Sequence, residues 1–195
     1  KRNIYLKESS VEAQYQALQS QLNPHFLFNS LNTLISEIGY NPENAILFTQ
    51  NLSDVYRYIL QCQQQRLVTL GSELEFLDSY VFLHRVRLGD CITVDCRLDE
   101  SLLEYRLPPL TLQLLAENVI KHNIISLRQP MVLSLSSEDE NWLVVSNSVR
   151  PKKSVQPSGM GLKNLASRYR LVCGQEIIIE KTTELFTVKI PLLYE

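Results

Sequence analysis

The sequence predicts an all-α helical hairpin followed by an α+β domain. Three observations lead there. Apolar residues recur every three or four positions through the first third of the chain, on two stretches parted by Gly39 and the turn-forming "YNPEN". After Asp90 the period changes, and Ile92, Val94, Cys96 and Leu98 alternate with polar neighbours. Four more strand-like runs then share the remaining length with two helical stretches. A length of 195 residues fits one or two domains, and a composition 45% hydrophobic and 21% charged is enough to bury a sizeable core.

The first helix is expected over residues near 9–39, with Leu27, Leu31, Leu34 and Ile38 as its apolar row. The second carries Ala45, Phe48, Leu52, Val55, Tyr56 and Ile59 on one stripe and stops at the polar "CQQQR". Two such helices cannot close a core by themselves, so they require a third element or a second copy. Ser72 and Glu75 form an S-x-x-E capping box before "FLDSYVFLHRVRL", a third helix ending near Gly89. The boundary between the two regions falls between Gln61 and Gly89. Beyond it, "TLQLLAENVIKHNI" and "LKNLASRYRLV" read as helices; "PMVLSLSS", "NWLVVSNSV", "EIIIE" and "LFTVKIPLL" read as strands.

Bulk properties narrow the function. A net charge of -2 gives no general affinity for nucleic acid. No run of 18 apolar residues is present to span a membrane, and no signal peptide is visible. The opening "KRNIYLKESS" reads either as the cytoplasmic flank of a membrane helix or as an arbitrary boundary. Cys62, Cys91, Cys96 and Cys173 have no zinc-site spacing and are expected to be buried or inert in a reducing compartment.

Three constellations carry chemistry. His25 sits in "QLNPHFLFNSLNTL", and on a helix His25, Asn29, Asn32 and Ser36 share one polar face. Asn23 either caps a helix with Pro24 at its first position, or Pro24 kinks a longer one. His25 is then either a surface histidine near a helix start or a nucleophile toward phosphorus. In "LLAENVIKHN", Glu117, Asn118, Lys121 and His122 lie side by side. This is either a solvated face with a Glu–Lys pair, or an Asn oxygen for a phosphate-held Mg²⁺ with Lys121 and His122 meeting anionic oxygens one turn later. In "PSGMGLKNL", glycines ahead of a helix offer free backbone N–H groups to an anion, though many ordinary helices start this way.

In this order, "QLNPHFLFNSLNTL", "LAENVIKHN" and "SGMGLKN" resemble the LytS-like sensor histidine kinases over nearly the whole chain. Echoes include "LSDVYRYIL", "VTLGSELEFLDSY" and "RLPPLTLQLLAEN". The ending "GLKNLASRYRLV…FTVKIPLL" resembles a branch common in Bacteroides-type bacteria. The resemblance implies a dimerisation and phosphotransfer hairpin at 1–68, pairing into a four-helix bundle. A connecting helix at 69–89 would lead to an ATP-binding domain at 90–195, a sandwich of the histidine kinase/Hsp90-like ATPase type. It implies His25 as phosphoacceptor and Asn118 as the catalytic Mg²⁺ ligand. Asn118, Lys121, His122, Asn147, Gly159, Gly161, Leu162 and Asn164 would bind ATP. The implied partners are a second copy and a response regulator, often of LytTR type, with no direct binding of nucleic acid by this chain. The whole protein would be held at the inner membrane by a region absent here, with this part cytoplasmic.

Two departures stand out. The wider superfamily has Asp-x-Gly-x-Gly after the middle strand, whereas "LVVSNSVRPKK" offers Asn147 and neither glycine. A neutral acceptor binds the adenine amino group less strongly than a carboxylate, so weak ATP binding is expected. Phe26 stands where many histidine kinases carry an acid beside the phosphoacceptor. Other readings are a degenerate kinase serving as a dimeric signalling scaffold, or an ATPase of the same sheet class with Glu117 as base, which leaves the His25 motif without a role.

Overall fold

A computed structural model describes residues 23–139, 141–153 and 160–194. The chain divides into two compact units between Gln63 and Gln64. The expected helix start near residue 9, and Gly159, lie outside the described residues.

In the first unit, α1 (Pro24–Tyr40) and α2 (Pro42–Gln61) pack together as a hairpin. Both begin with Asn-Pro, and in both the Asn side chain accepts from an amide of the first turn. Asn23 Oδ1 accepts from Phe26 N at 3.3 Å and Asn41 Oδ1 from Asn44 N at 3.1 Å. Pro24 and Pro42 stand where a missing N–H removes nothing. At Pro24 the structure shows a capped helix start, while the residues a longer kinked helix would need lie outside the described ones. Asn23 is left-handed at φ 37°, which Asn tolerates better than most side chains. The α2 stripe is buried as expected at Ala45, Phe48, Leu52, Val55 and Ile59, with Tyr56 half-buried against Phe26.

The apolar row expected on α1 splits in two. Leu27 and Leu34 are half-buried with Ser30 buried between them. Leu31 and Ile38 belong to a second, exposed row with Phe28 and Ile35, exposed by 65% (Phe28), 41% (Leu31), 69% (Ile35) and 58% (Ile38). The α1 surface is apolar on two adjacent rows, and a single periodicity reading merged them.

The second unit is built on a mixed five-stranded sheet of order β2-β4-β5-β7-β6. Its strands are β2 (Ile92–Arg97), β4 (Met131–Glu138), β5 (Trp142–Ser148), β6 (Ile178–Lys181) and β7 (Leu185–Pro191). β2 runs parallel to β4 and every other pair is antiparallel. Alternation puts Met131, Leu133, Leu135, Leu143, Val145, Val188 and Ile190 on the buried face. The helices α3 (Leu70–Leu88), α4 (Thr111–His122) and α5 (Met160–Cys173) complete this core with Leu77, Leu112, Leu115, Leu165 and Tyr169. A short ribbon pairs β1 (Val68–Thr69) with β3 (Arg106–Leu107). The helix expected as a connector at 69–89 therefore lies inside the second unit. Of the cysteines, Cys96 is exposed rather than buried, being near the end of an edge strand.

The helix starts around α4 hold two surprises. The S-x-x-E box does not cap α3; Thr69 does, accepting from Ser72 N at 3.2 Å. α4 has no cap of its own. Leu110 precedes it at φ 61°, a left-handed conformation that costs an ordinary residue about 1–2 kcal/mol. The cap comes from Glu73 on α3, fully buried. Its Oε1 accepts from Leu110 N at 2.7 Å and its Oε2 from Leu112 N at 2.9 Å. A carboxylate at the positive end of a helix makes strong, charge-assisted bonds.

His84, buried on α3, accepts at Nδ1 from Arg87 Nη2 at 3.0 Å. A guanidinium can only donate, so Nδ1 carries the lone pair and the neutral imidazole holds its proton on Nε2. Burial first, and the Arg87 charge second, hold its pKa down to about 3 from 6.5. The unfolded chain therefore takes up a proton below about pH 6.5 that the folded one refuses. This group's contribution is full above that pH and is lost as the pH falls toward 3, by up to about 1.4 kcal/mol per pH unit. Thermal midpoints measured between pH 7.5 and 5 should fall on acidification, and His84→Gln should flatten that slope.

Candidate functional site

α4 is two-faced. Leu112, Leu115, Ala116 and Val119 are buried in the core. Leu114, Glu117, Asn118, Lys121 and His122 line a cavity of about 170 Å³, whose other wall is Gly161 and Leu162 at the start of α5. A Cβ on Gly161 would meet Leu114 Cδ2 at 3.8 Å, an ordinary contact, so this glycine leaves space in the wall rather than relieving a clash.

The rim of the cavity is cationic. Burial is the main cause that lowers the His122 pKa, followed by the charges of Lys121, Lys152 and Lys181. Lys152 is held in place: its Nζ donates to Ile120 O at 2.8 Å and its backbone N to His122 O at 3.0 Å. The segment leaving β5 is stitched to the end of α4 by Ile124 N to Arg150 O (2.7 Å) and Arg150 N to Asn123 Oδ1 (2.8 Å). Cations in the last turn of α4 also complement its dipole. The arrangement suits a ligand with several negative charges.

The structure thus brings together Asn118, Lys121, His122, Gly161 and Leu162, and adds Leu114 and Glu117. Asn147 lies on a different element from these residues, β5. It is buried on the inner face of β5, donates through Nδ2 to Ser148 O at 2.8 Å, and is not part of the cavity lining. Asn164 is exposed on α5 and also outside the lining. Gly159 lies outside the described residues. Lys152, which charges the rim, was missed because only folding carries it back to His122. Among the described residues no cluster of three or more His, Cys, Asp and Glu side chains is placed to hold a metal ion. A divalent ion arriving with phosphates needs few protein ligands, and the lining offers two hard oxygen donors, the Asn118 carboxamide and the Glu117 carboxylate.

His25 belongs to the first unit. It is exposed in the first turn of α1, with Asn29 Nδ2 at 3.2 Å from Nδ1 and 3.3 Å from Nε2. A neutral imidazole has one lone-pair nitrogen, so the carboxamide donates to one of the two and holds the ring against its own helix.

Comparison with known proteins places the chain in a family. The profile of the family described as Histidine kinase matches residues 13–92. The sensor protein LytS of Staphylococcus haemolyticus is 33% identical over 130 residues, which are 67% of this chain and 22% of that protein. The sensor histidine kinase YpdA of Escherichia coli is 32% identical over 189 residues, 90% of this chain and 33% of its own. The chain therefore spans between about a fifth and a third of these relatives. The solved Acinetobacter baumannii histidine kinase AdeS covers 94% of this chain, with 97% of its own length, at 13% identity and a TM-score of 0.43. That superposition is loose, and the assignment rests on sequence. No helix among the described residues is long and apolar enough to cross a membrane. The chain belongs to the LytS-like sensor histidine kinases.

Proposed function

We propose that the chain is the phosphotransfer and ATP-binding part of a two-component sensor, in which His25 takes the γ-phosphoryl group of ATP and passes it to an aspartate of a response regulator. The observation that carries this reading is the cavity, where a carboxamide, a cationic rim and the glycine-flanked start of a helix meet on α4 and α5. Phosphoryl transfer asks the protein mainly for positioning and charge neutralisation. Lys121 and His122 would face the phosphates, Asn118 would hold Mg²⁺ through its Oδ1, and the amides at the start of α5 would neutralise charge on the triphosphate. Mg²⁺, when bound, neutralises charge on the β- and γ-oxygens. The lone-pair nitrogen of His25 attacks phosphorus, the bond from phosphorus to the bridging oxygen breaks, and ADP leaves. Asn29 must yield that nitrogen as the N–P bond forms, and the ring's remaining N–H proton passes to solvent, since the imidazole is exposed.

The exposed α1 row fits a second copy of the hairpin. Phe28, Leu31, Ile35 and Ile38 follow 3-4-3 spacing, which is the seam of packed parallel or antiparallel helices. Two hairpins pairing through it would make a four-helix bundle, followed along the chain by a nucleotide-binding sandwich of the Hsp90-like type. The sensing and membrane-anchoring parts would lie outside this chain, placing it on the cytoplasmic side of the inner membrane. The regulator is of the LytTR-bearing kind that the resemblance implies. Asn147 in place of the superfamily's aspartate leaves a neutral acceptor for adenine and makes the affinity for ATP weak.

Incubation with γ-labelled ATP and Mg²⁺ should give acid-labile, base-stable label on the wild type and none on His25→Gln. Asn118→Ala should lose at least about tenfold in rate, equivalent to about 1.4 kcal/mol. A nucleotide-binding, dimeric wild type that takes no label would instead be the scaffold. Ile35→Asp should shift the chain from dimer to monomer in sedimentation without unfolding it. The depressed His122 is neutral at neutral pH, and a polyanion favours its charged form. Binding then takes up a proton, so the ATP dissociation constant should fall from pH 8 to pH 6 and lose that trend in His122→Gln.

A further inference from the structure

The turn Pro108–Thr111 is held from two helices at once. Glu73 on α3 accepts the amides of Leu110 (2.7 Å) and Leu112 (2.9 Å). Arg168 on α5 donates through Nη1 to Pro109 O at 2.7 Å. Thr111 Oγ1 closes the turn onto Pro108 O at 2.6 Å. At its centre Leu110 is kept left-handed, at φ 61°, without a glycine. Such a conformation persists only where its surroundings impose it, and it concentrates at functional positions.

The turn leads into one cavity wall and is tied to the helix that carries the other. Leu110, Leu114, Asn118 and Lys121 follow one another at four-, four- and three-residue steps, so they form one row of α4. The residue whose amide is clamped therefore leads the row that lines the cavity. Arg168 lies seven residues after Gly161, two turns along the same side of α5. α4 is thus set in rotation by Glu73, and α5 is set in distance from it by Arg168.

We infer that Glu73 and Arg168 are positioning residues for the nucleotide, acting through the Pro108–Thr111 turn to fix the spacing of Asn118 against Gly161 and Leu162. The inference rests on the reading of the cavity as an ATP site. Neither residue lines the cavity. Their charges are opposite, which separates positioning from simple electrostatics. If only charge mattered, removing the Glu73 anion would strengthen binding of ATP and removing the Arg168 cation would weaken it. If both hold the walls, both substitutions weaken it.

The test is calorimetric titration of the full chain with ATP and Mg²⁺, alongside its thermal midpoint, for wild type, Glu73→Gln, Arg168→Ala, Arg168→Lys and Leu133→Ala. Leu133 is a buried β4 residue with no hydrogen bond to the turn through its side chain, and serves as the destabilised control. The expected result is a five- to tenfold higher dissociation constant in Glu73→Gln and Arg168→Ala, partial recovery in Arg168→Lys, and wild-type affinity in Leu133→Ala despite its lower midpoint. Arg168 is only half-buried, so Arg168→Ala keeps the test decisive should Glu73→Gln fail to fold. Wild-type affinity in Arg168→Ala overturns the clamp while leaving the ATP site intact, as does a rise in Leu133→Ala equal to that in Arg168→Ala. A wild type that binds no nucleotide overturns both.

Discussion

The buried carboxylate of Glu73 is the interaction on which the second unit depends. A helix start leaves several amides without partners, and inside a protein each one must be satisfied. "RLPPL" supplies no Ser, Thr, Asp or Asn at the capping position, and Leu110 there has no side chain able to accept. Fully buried Glu73 meets two of these amides from another helix. Its own negative charge, expensive to bury alone, is offset by the same two bonds and by the helix dipole. The need is mutual: α4 lacks a cap and Glu73 lacks water. This fixes α3 and α4 as one body, and with them the row of α4 that carries Asn118.

Most of the fold was legible because its signals are local. The α2 stripe, the alternation in β2, the strands around β5 and the turn ahead of α2 are each written within a few consecutive residues. The parts that escaped are set by distance. Glu73 and Leu110 are 37 residues apart in sequence, Arg168 and Pro109 59. No periodicity reading joins them. Ser72 and Glu75 looked like a cap because the pattern is local, yet Thr69 is the residue whose hydroxyl reaches an amide. On α1, two apolar rows lie so close that spacing alone could not say which one faces α2.

The candidate site divides the same way. Asn118, Lys121 and His122 were legible as a group because a helix keeps residues four apart on one face. Gly161 and Leu162 were legible from the glycine pattern at a helix start, and the structure puts them in the first turn of α5. Asn147 was assigned through a resemblance to a motif, and the fold places it on the inner face of β5, outside the cavity lining. Lys152 was missed although it is one of the charges at the rim, since it comes from the segment that β5 sends back across the end of α4.

That rim explains why the cavity reads as a binding site rather than a packing gap. Three lysine charges bear on one partly buried histidine, and all of them push its proton off. Nothing in folding requires this concentration of like charge, and a surface chosen for stability alone would disperse it. Among the described lining residues Glu117 and Lys121 offset one another, and Lys152 and Lys181 at the rim tip the balance to positive. Asn118 contributes an oxygen without adding negative charge, which leaves that excess intact. A ligand that brings several negative charges of its own removes the repulsion at a stroke, while a neutral ligand leaves it in place. Local conflict of this kind fits the anion site proposed above.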